Sequence, residues 1–129
     1  MNYQKIDRGK RMQHKEHYLQ VAIVRYLRLN KIFCFAIPNG GRRDLITGAV
    51  LKREGVLAGS PDLVIILPNQ LYFVELKNGN QGRQSKEQIE FQMTVEKLGF
   101  KYLLWREFCD VENFVRMKKN ALLLNKNML

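Results

Sequence analysis

The stretch GSPDLVIILPNQLYFVELK, residues 59–77, decides how this chain folds. Two apolar runs, LVIIL and LYFV, flank Pro68-Asn69-Gln70. Such runs, bounded by turn residues, read as strands, and so short a connection makes them a hairpin. Charged residues stand at the strand ends: Asp62 at the entrance, Glu75 and Lys77 at the exit. Side chains alternate along a strand, which puts Glu75 and Lys77 on one side and Leu76 on the other. The antiparallel turn brings the start of the first strand beside the end of the second. Two carboxylates and an ammonium are thereby expected at one end of a small sheet.

Neighbouring carboxylates repel, and the repulsion needs compensation. A divalent cation supplies it, and hard oxygen donors favour Mg²⁺ or Mn²⁺, with the Leu76 carbonyl as a further donor. A cation so held can bind a phosphate oxygen and acidify a bound water. Lys77 is placed to orient or deprotonate that water, or to stabilise charge growing on the phosphate. A lone E-x-K reads more simply as a strand end with solvated charges, Lys77 pairing with Glu75 or Asp62. The Pro61-Asp62 pair at hairpin spacing and the basic charge of the chain favour the site.

Upstream of the hairpin, Leu19, Ala22, Ile23, Tyr26 and Leu27 recur at helical spacing and predict a helix over 15–30. Glu16 and Gln20 share one face of it, four residues apart. KIFCFAI, residues 31–37, reads as a strand ending at Pro38, and Asn39-Gly40-Gly41 as a loop. Asp44 is placed to cap a short helix over 46–54, stopped by Gly55. Downstream, Ser85-Lys86-Glu87-Gln88 has the form of a capping box and opens a helix to Leu98, with Gly99 at its end. Phe91, Val95 and Leu98 form one apolar line on it, and Ile89 and Met93 a second. FKYLLW, residues 100–105, predicts a strand, and Asp110 a cap for a last helix with Val111, Phe114, Val115 and Leu122 inward. The order is helix, strand, short helix, hairpin, helix, strand, helix. That is an α/β chain with a small mixed central sheet flanked by helices. Residues 71–77, 85–98 and 100–105 form a βαβ unit with parallel strands.

At 129 residues one domain is expected, and no repeat interrupts it. Residues 1–14 read as a basic flexible arm, 15–118 as the domain, and 119–129 as an extension that continues the last helix or contacts a partner chain. No apolar run approaches the length of a membrane span, and the N-terminus is polar and basic, so no membrane partner and a cytoplasmic location are expected. Cys34 and Cys109, far apart and without a CxxC partner, read as free buried thiols. His14 and His17, without further ligands, do not define a metal site. Twenty-two Lys and Arg against twelve Asp and Glu give a net charge of +10, which points to a polyanionic partner, most simply nucleic acid.

Together these motifs acquire a family likeness. Pro61-Asp62 followed by Glu75-Leu76-Lys77 resembles the PD-(D/E)xK motif of restriction-endonuclease-like nucleases. Glu16-His-Tyr-Leu-Gln20, Pro38-Asn39-Gly40-Gly41-Arg42, Gly59-Ser60-Pro61-Asp62-Leu63 and Ser85-x-x-Gln88 are, in this order, similar to the virus-type replication–repair nuclease (VRR-NUC) family. The likeness spans roughly residues 16–115. It implies a restriction-endonuclease-like core and a metal-dependent phosphodiesterase. Asp62, Glu75 and the Leu76 carbonyl would bind Mg²⁺ or Mn²⁺, and Lys77 would be the catalytic lysine. Glu16 would complete the acidic site from the first helix, directly or through water. Gln88 would steady Lys77 or a metal-bound water while also capping its helix, and Gln20 is a weaker candidate. No organic cofactor is expected.

Arg42, Arg43, Lys52, Arg53, Arg83 and Lys86 flank these motifs and are candidate phosphate contacts. Asn39 and its adjacent glycines would let backbone approach a strand closely. Small members of the family imply a structure-selective DNA endonuclease, with four-way junctions as the preferred substrate and a phage or prophage origin. Symmetric cutting needs two sites, hence a homodimer joined through the C-terminal segment or helix 15–30. The alternatives are a flap, single-strand or restriction-type nuclease, and, in another class, an inactive DNA-binding module.

Overall fold

The structure, a computed structural model, describes residues 3–38, 45–80 and 82–127, with side chains over 15–38, 48–80 and 82–121. Its elements are α1 (Tyr3–Leu29), β1 (Phe33–Ala36), α2 (Leu45–Arg53), β2 (Leu63–Leu67), β3 (Gln70–Leu76), α3 (Lys86–Lys97), β4 (Lys101–Trp105) and α4 (Phe108–Asn127). The order is the expected one, and the sheet runs β1-β2-β3-β4. β2 and β3 pair antiparallel, with Leu67 opposite Gln70. Only Pro68 and Asn69 lie between them, and Asn69 takes the left-handed conformation (φ 60°) that such a tight turn needs. β3 and β4 pair parallel through α3, and β1 adds an antiparallel edge to β2.

Strand alternation sorts the sheet into two faces. One carries Cys34, Leu63, Ile65, Tyr72, Val74, Leu76 and Trp105, which form a continuous core with Ile23 and Leu27 of α1 and Val111, Phe114 and Val115 of α4. Each fully buried Leu or Ile contributes about 1.5–3 kcal/mol relative to exposure. The other face carries Phe73 and Glu75. There α3 docks by Phe91, edge-on to Phe73 at 5.3 Å, and by buried Val95. The apolar line on α3 ends at that point: Leu98, Ile89 and Met93 are exposed, because one helix on one sheet face has room for a single stripe.

Three boundaries differ from expectation, and a fourth takes one of the two forms expected for it. α1 begins at Tyr3, so the segment read as an arm is helical from that residue. Its Lys, Arg, Gln and Met residues are good helix formers, with Gly9 alone opposing them. α4 continues to Asn127, so residues 119–127 extend that helix. Lys31 adopts a left-handed φ of 58°, ending the α1 turn and delaying β1 to Phe33. Asp110 lies in the first turn of α4 and not before it. It reaches back to accept from the Arg106 and Glu107 backbone amides at 2.8 and 3.0 Å. Cys34 is buried as expected, whereas Cys109 is exposed on that same turn.

Candidate active site

Asp62 and Glu75 meet because of hairpin register. Leu63 pairs with Val74, so the residue before β2 and the residue after Val74 are neighbours. The β1–β2 ladder runs one step further, with the Ile37 N–H donating to the Asp62 carbonyl at 2.9 Å, which holds the Asp62 backbone. Its side chain is held as well: the Leu76 N–H donates to Asp62 Oδ2 at 2.8 Å. That bond ties the two strand ends together through the carboxylate itself.

Glu75 is the one charged side chain buried among the described residues, at 3% exposure. Its Oε1 accepts from Gln88 Nε2 at 2.8 Å and lies 3.5 Å from Lys77 Nζ. Its Oε2 has no hydrogen-bond partner among the described residues. Burial pushes the Glu75 carboxyl up to about 8, and the adjacent Asp62 charge adds to the rise while Lys77 opposes it. A native fold seldom leaves a buried carboxylate oxygen unpartnered, and those that do often serve a ligand or catalysis.

Gln88 does two jobs with two ends of one amide. Its Oε1 accepts from the Ser85 N–H at 2.8 Å, while Ser85 Oγ accepts from the Gln88 N–H at 3.2 Å, completing the capping box. Its Nε2 is then aimed at Glu75. The helix start is thus coupled to the site, and the amide contacts Glu75 and not Lys77.

Gly59 makes this approach possible. It has φ +84°, and a Cβ there would stand 2.4 Å from the Glu87 carbonyl and 2.8 Å from the Gln88 nitrogen. The sequence offers Gly59 only as the first residue of the Gly59-Ser60-Pro61-Asp62-Leu63 motif. Its signal is position: a glycine two residues before Pro61-Asp62, where backbone passes close to the helix that carries Gln88.

A cleft of about 1060 Å³ opens above these groups, with α2 and residues 55–60 on one side and α3 on the other. Lys52 lines it, together with Asp62, Glu75 and Gln88. Arg53, Arg83 and Lys86 are exposed on the surrounding surface. Asn39, Arg42 and Arg43 lie outside the described residues. Glu16 and Gln20 sit half-buried on α1, which packs on the opposite sheet face from Glu75. Among the described residues no three of His, Cys, Asp and Glu gather as a metal-binding group, so Glu16 makes no direct third ligand beside Asp62 and Glu75.

The residues present still fit a divalent cation: two adjacent carboxylates, one with a buried oxygen that has no hydrogen-bond partner among the described residues. Among the described residues no helix is long and apolar enough to cross a membrane.

Two solved structures share this architecture. A solved "VRR_NUC domain protein" superimposes with a TM-score of 0.66 at 19% identity, covering 80% of this chain and 86% of that one. A second solved structure, a "VRR_NUC domain", gives a TM-score of 0.57 at 20% identity, covering 79% of this chain and 95% of that one. No family model matches the sequence, and no curated protein does. The chain therefore shares the fold of these VRR_NUC domains, as its motifs led one to expect.

Proposed function

We propose that this protein is a VRR-NUC endonuclease that hydrolyses DNA phosphodiester bonds with Mg²⁺ or Mn²⁺, acting on branched DNA such as four-way junctions as a homodimer. The observation that carries the reading is the buried Glu75 carboxylate beside Asp62 and Lys77, with one oxygen unpartnered among the described residues. A divalent cation bound there would offset both negative charges and polarise a phosphodiester oxygen. Asp62 is oriented for this by the Leu76 amide and Glu75 by Gln88. Lys77 presents its ammonium from the same strand end, where it stabilises negative charge developing on the phosphate. Lys52, Arg53, Arg83 and Lys86, with Asn39, Arg42 and Arg43, hold the DNA backbone without reading sequence.

Purified protein should be tested on four-way junction, flap and linear duplex DNA, with and without each metal. Cleavage is expected only with metal and fastest on the junction. Lys77→Ala should be slower by about 10²–10⁴-fold. If Glu75→Ala and Lys77→Ala cut as fast as the parent, the assignment fails. Preference for the flap would leave the chemistry in place and change the substrate.

A further inference from the structure

β3 and β4 are parallel, so the chain leaves both at the same end of the sheet, with Lys77 following one strand and Arg106 the other. Their ladder continues past the strands. The Lys77 N–H donates to the Trp105 carbonyl at 2.9 Å, and the Gly79 N–H to the Arg106 carbonyl at 3.2 Å. The Arg106 side chain then turns into the loop after β3. Its Nη1 donates to the carbonyls of Gly79 and Gly82, both at 2.7 Å. Among the described residues these carbonyls, and no carboxylate, receive the guanidinium. Arg106 is itself anchored, because its N–H donates to Asp110 Oδ2 on α4 at 2.8 Å.

The clamped loop rests on Lys77. A Cβ at Gly82 would lie 3.1 Å from both Cβ and Cδ of Lys77, so backbone packs directly on the lysine stem. The Lys77 side chain is only 14% exposed in consequence, although it follows a strand end. A lysine has four rotatable side-chain bonds, and an unsupported one samples many rotamers. We propose that Arg106 is the positioning residue for Lys77: it closes the loop at Gly79 and Gly82, and the closed loop presses the lysine stem so that the ammonium points at Glu75. The consequence for catalysis rests on the nuclease reading above; the clamp does not.

Two measurements on Arg106→Met, which keeps the stem and removes the donors, test this. In metal-free protein without DNA, acylation by N-hydroxysuccinimide acetate is followed site by site by mass spectrometry. Lys77 should react at least about threefold faster than in the parent relative to exposed Lys101. An unchanged ratio overturns the clamp. In cleavage assays kcat should fall about 10–100-fold with KM altered less than about twofold, and Arg106→Lys should recover part of the loss. A rise in KM with kcat unchanged makes Arg106 a DNA contact and overturns the positioning role. Should Arg106→Met not fold, Gly82→Ala displaces the lysine stem from the loop side and should lower kcat in the same way; parent-like kcat there overturns the proposal. If the parent cuts none of the DNAs, the nuclease reading fails, and the acylation ratio still decides the clamp.

Discussion

Glu75 illustrates how one residue joins stability to chemistry. Its carboxyl is raised to about 8 from an ordinary 4.5, chiefly by burial. The folded protein therefore keeps a proton that the unfolded chain releases above pH 4.5. This contribution to stability is full below 4.5 and is lost as pH rises through 8. The slope it adds is at most about 1.4 kcal/mol per pH unit. In metal-free protein, Tm should fall between pH 5 and 8, and Glu75→Gln should flatten that fall. Millimolar Mn²⁺ should reverse it, raising Tm more at pH 8 than at pH 6, because the cation displaces the proton. Equal Mn²⁺ shifts in parent and Glu75→Gln would remove Glu75 from the metal site.

At the scale of elements, the site depends on how α3 meets the hairpin. The Ser85–Gln88 box fixes where the helix starts, and the Phe73–Phe91 contact fixes its height above the sheet. Gly59 lets the preceding segment pass under the Glu87–Gln88 peptide. Gly55 serves as the internal control. It also has positive φ, at 101°, but an added Cβ there meets nothing within 4 Å. Gly55→Ala should cost about 1 kcal/mol from backbone strain alone. Gly59→Ala carries both strain and a clash with backbone, and should cost roughly 2–4 kcal/mol. It should also slow cleavage, because α3 must withdraw Gln88 from Glu75. Urea unfolding and kcat measured on both variants check the pair; equal effects would mean that strain alone matters.

Over the whole molecule, one chain of 15.2 kDa carries one pair of strand-end carboxylates. Two symmetric cuts on a junction require two such chains related by a two-fold axis. Light scattering at assay concentration should give about twice 15.2 kDa. A monomer that still cuts junctions in both strands would refute the paired arrangement. Apolar side chains are exposed at Phe33, Phe35 and Ile66 on β1–β2 and at Tyr18 and Leu29 on α1.

Asp62, Glu75 and Lys77 were legible in the sequence because their relations are local: hairpin pairing and strand alternation relate them. The capping box puts Gln88 in the first turn of the helix after β3, but only the family resemblance pointed it to the site, and its contact with Glu75 spans 13 residues. The element order follows from the same short-range periodicities, and they also foretold the parallel pairing across α3. Other features depend on contacts between segments far apart in the chain. Nothing in E-L-K says that Glu75 is buried at 3% exposure; that depends on α3 covering its face of the sheet. Glu16 has the expected spacing on α1, yet α1 packs on the other face, where its buried Ile23 and Leu27 draw it. Arg106 lies 24 and 27 residues from the carbonyls it holds, and no periodicity links them. Local chemistry determined which groups are present and on which strand ends. Only long-range packing decided which of them are buried, clamped and made to face one another, because desolvation and side-chain restraint come from neighbours distant in the chain.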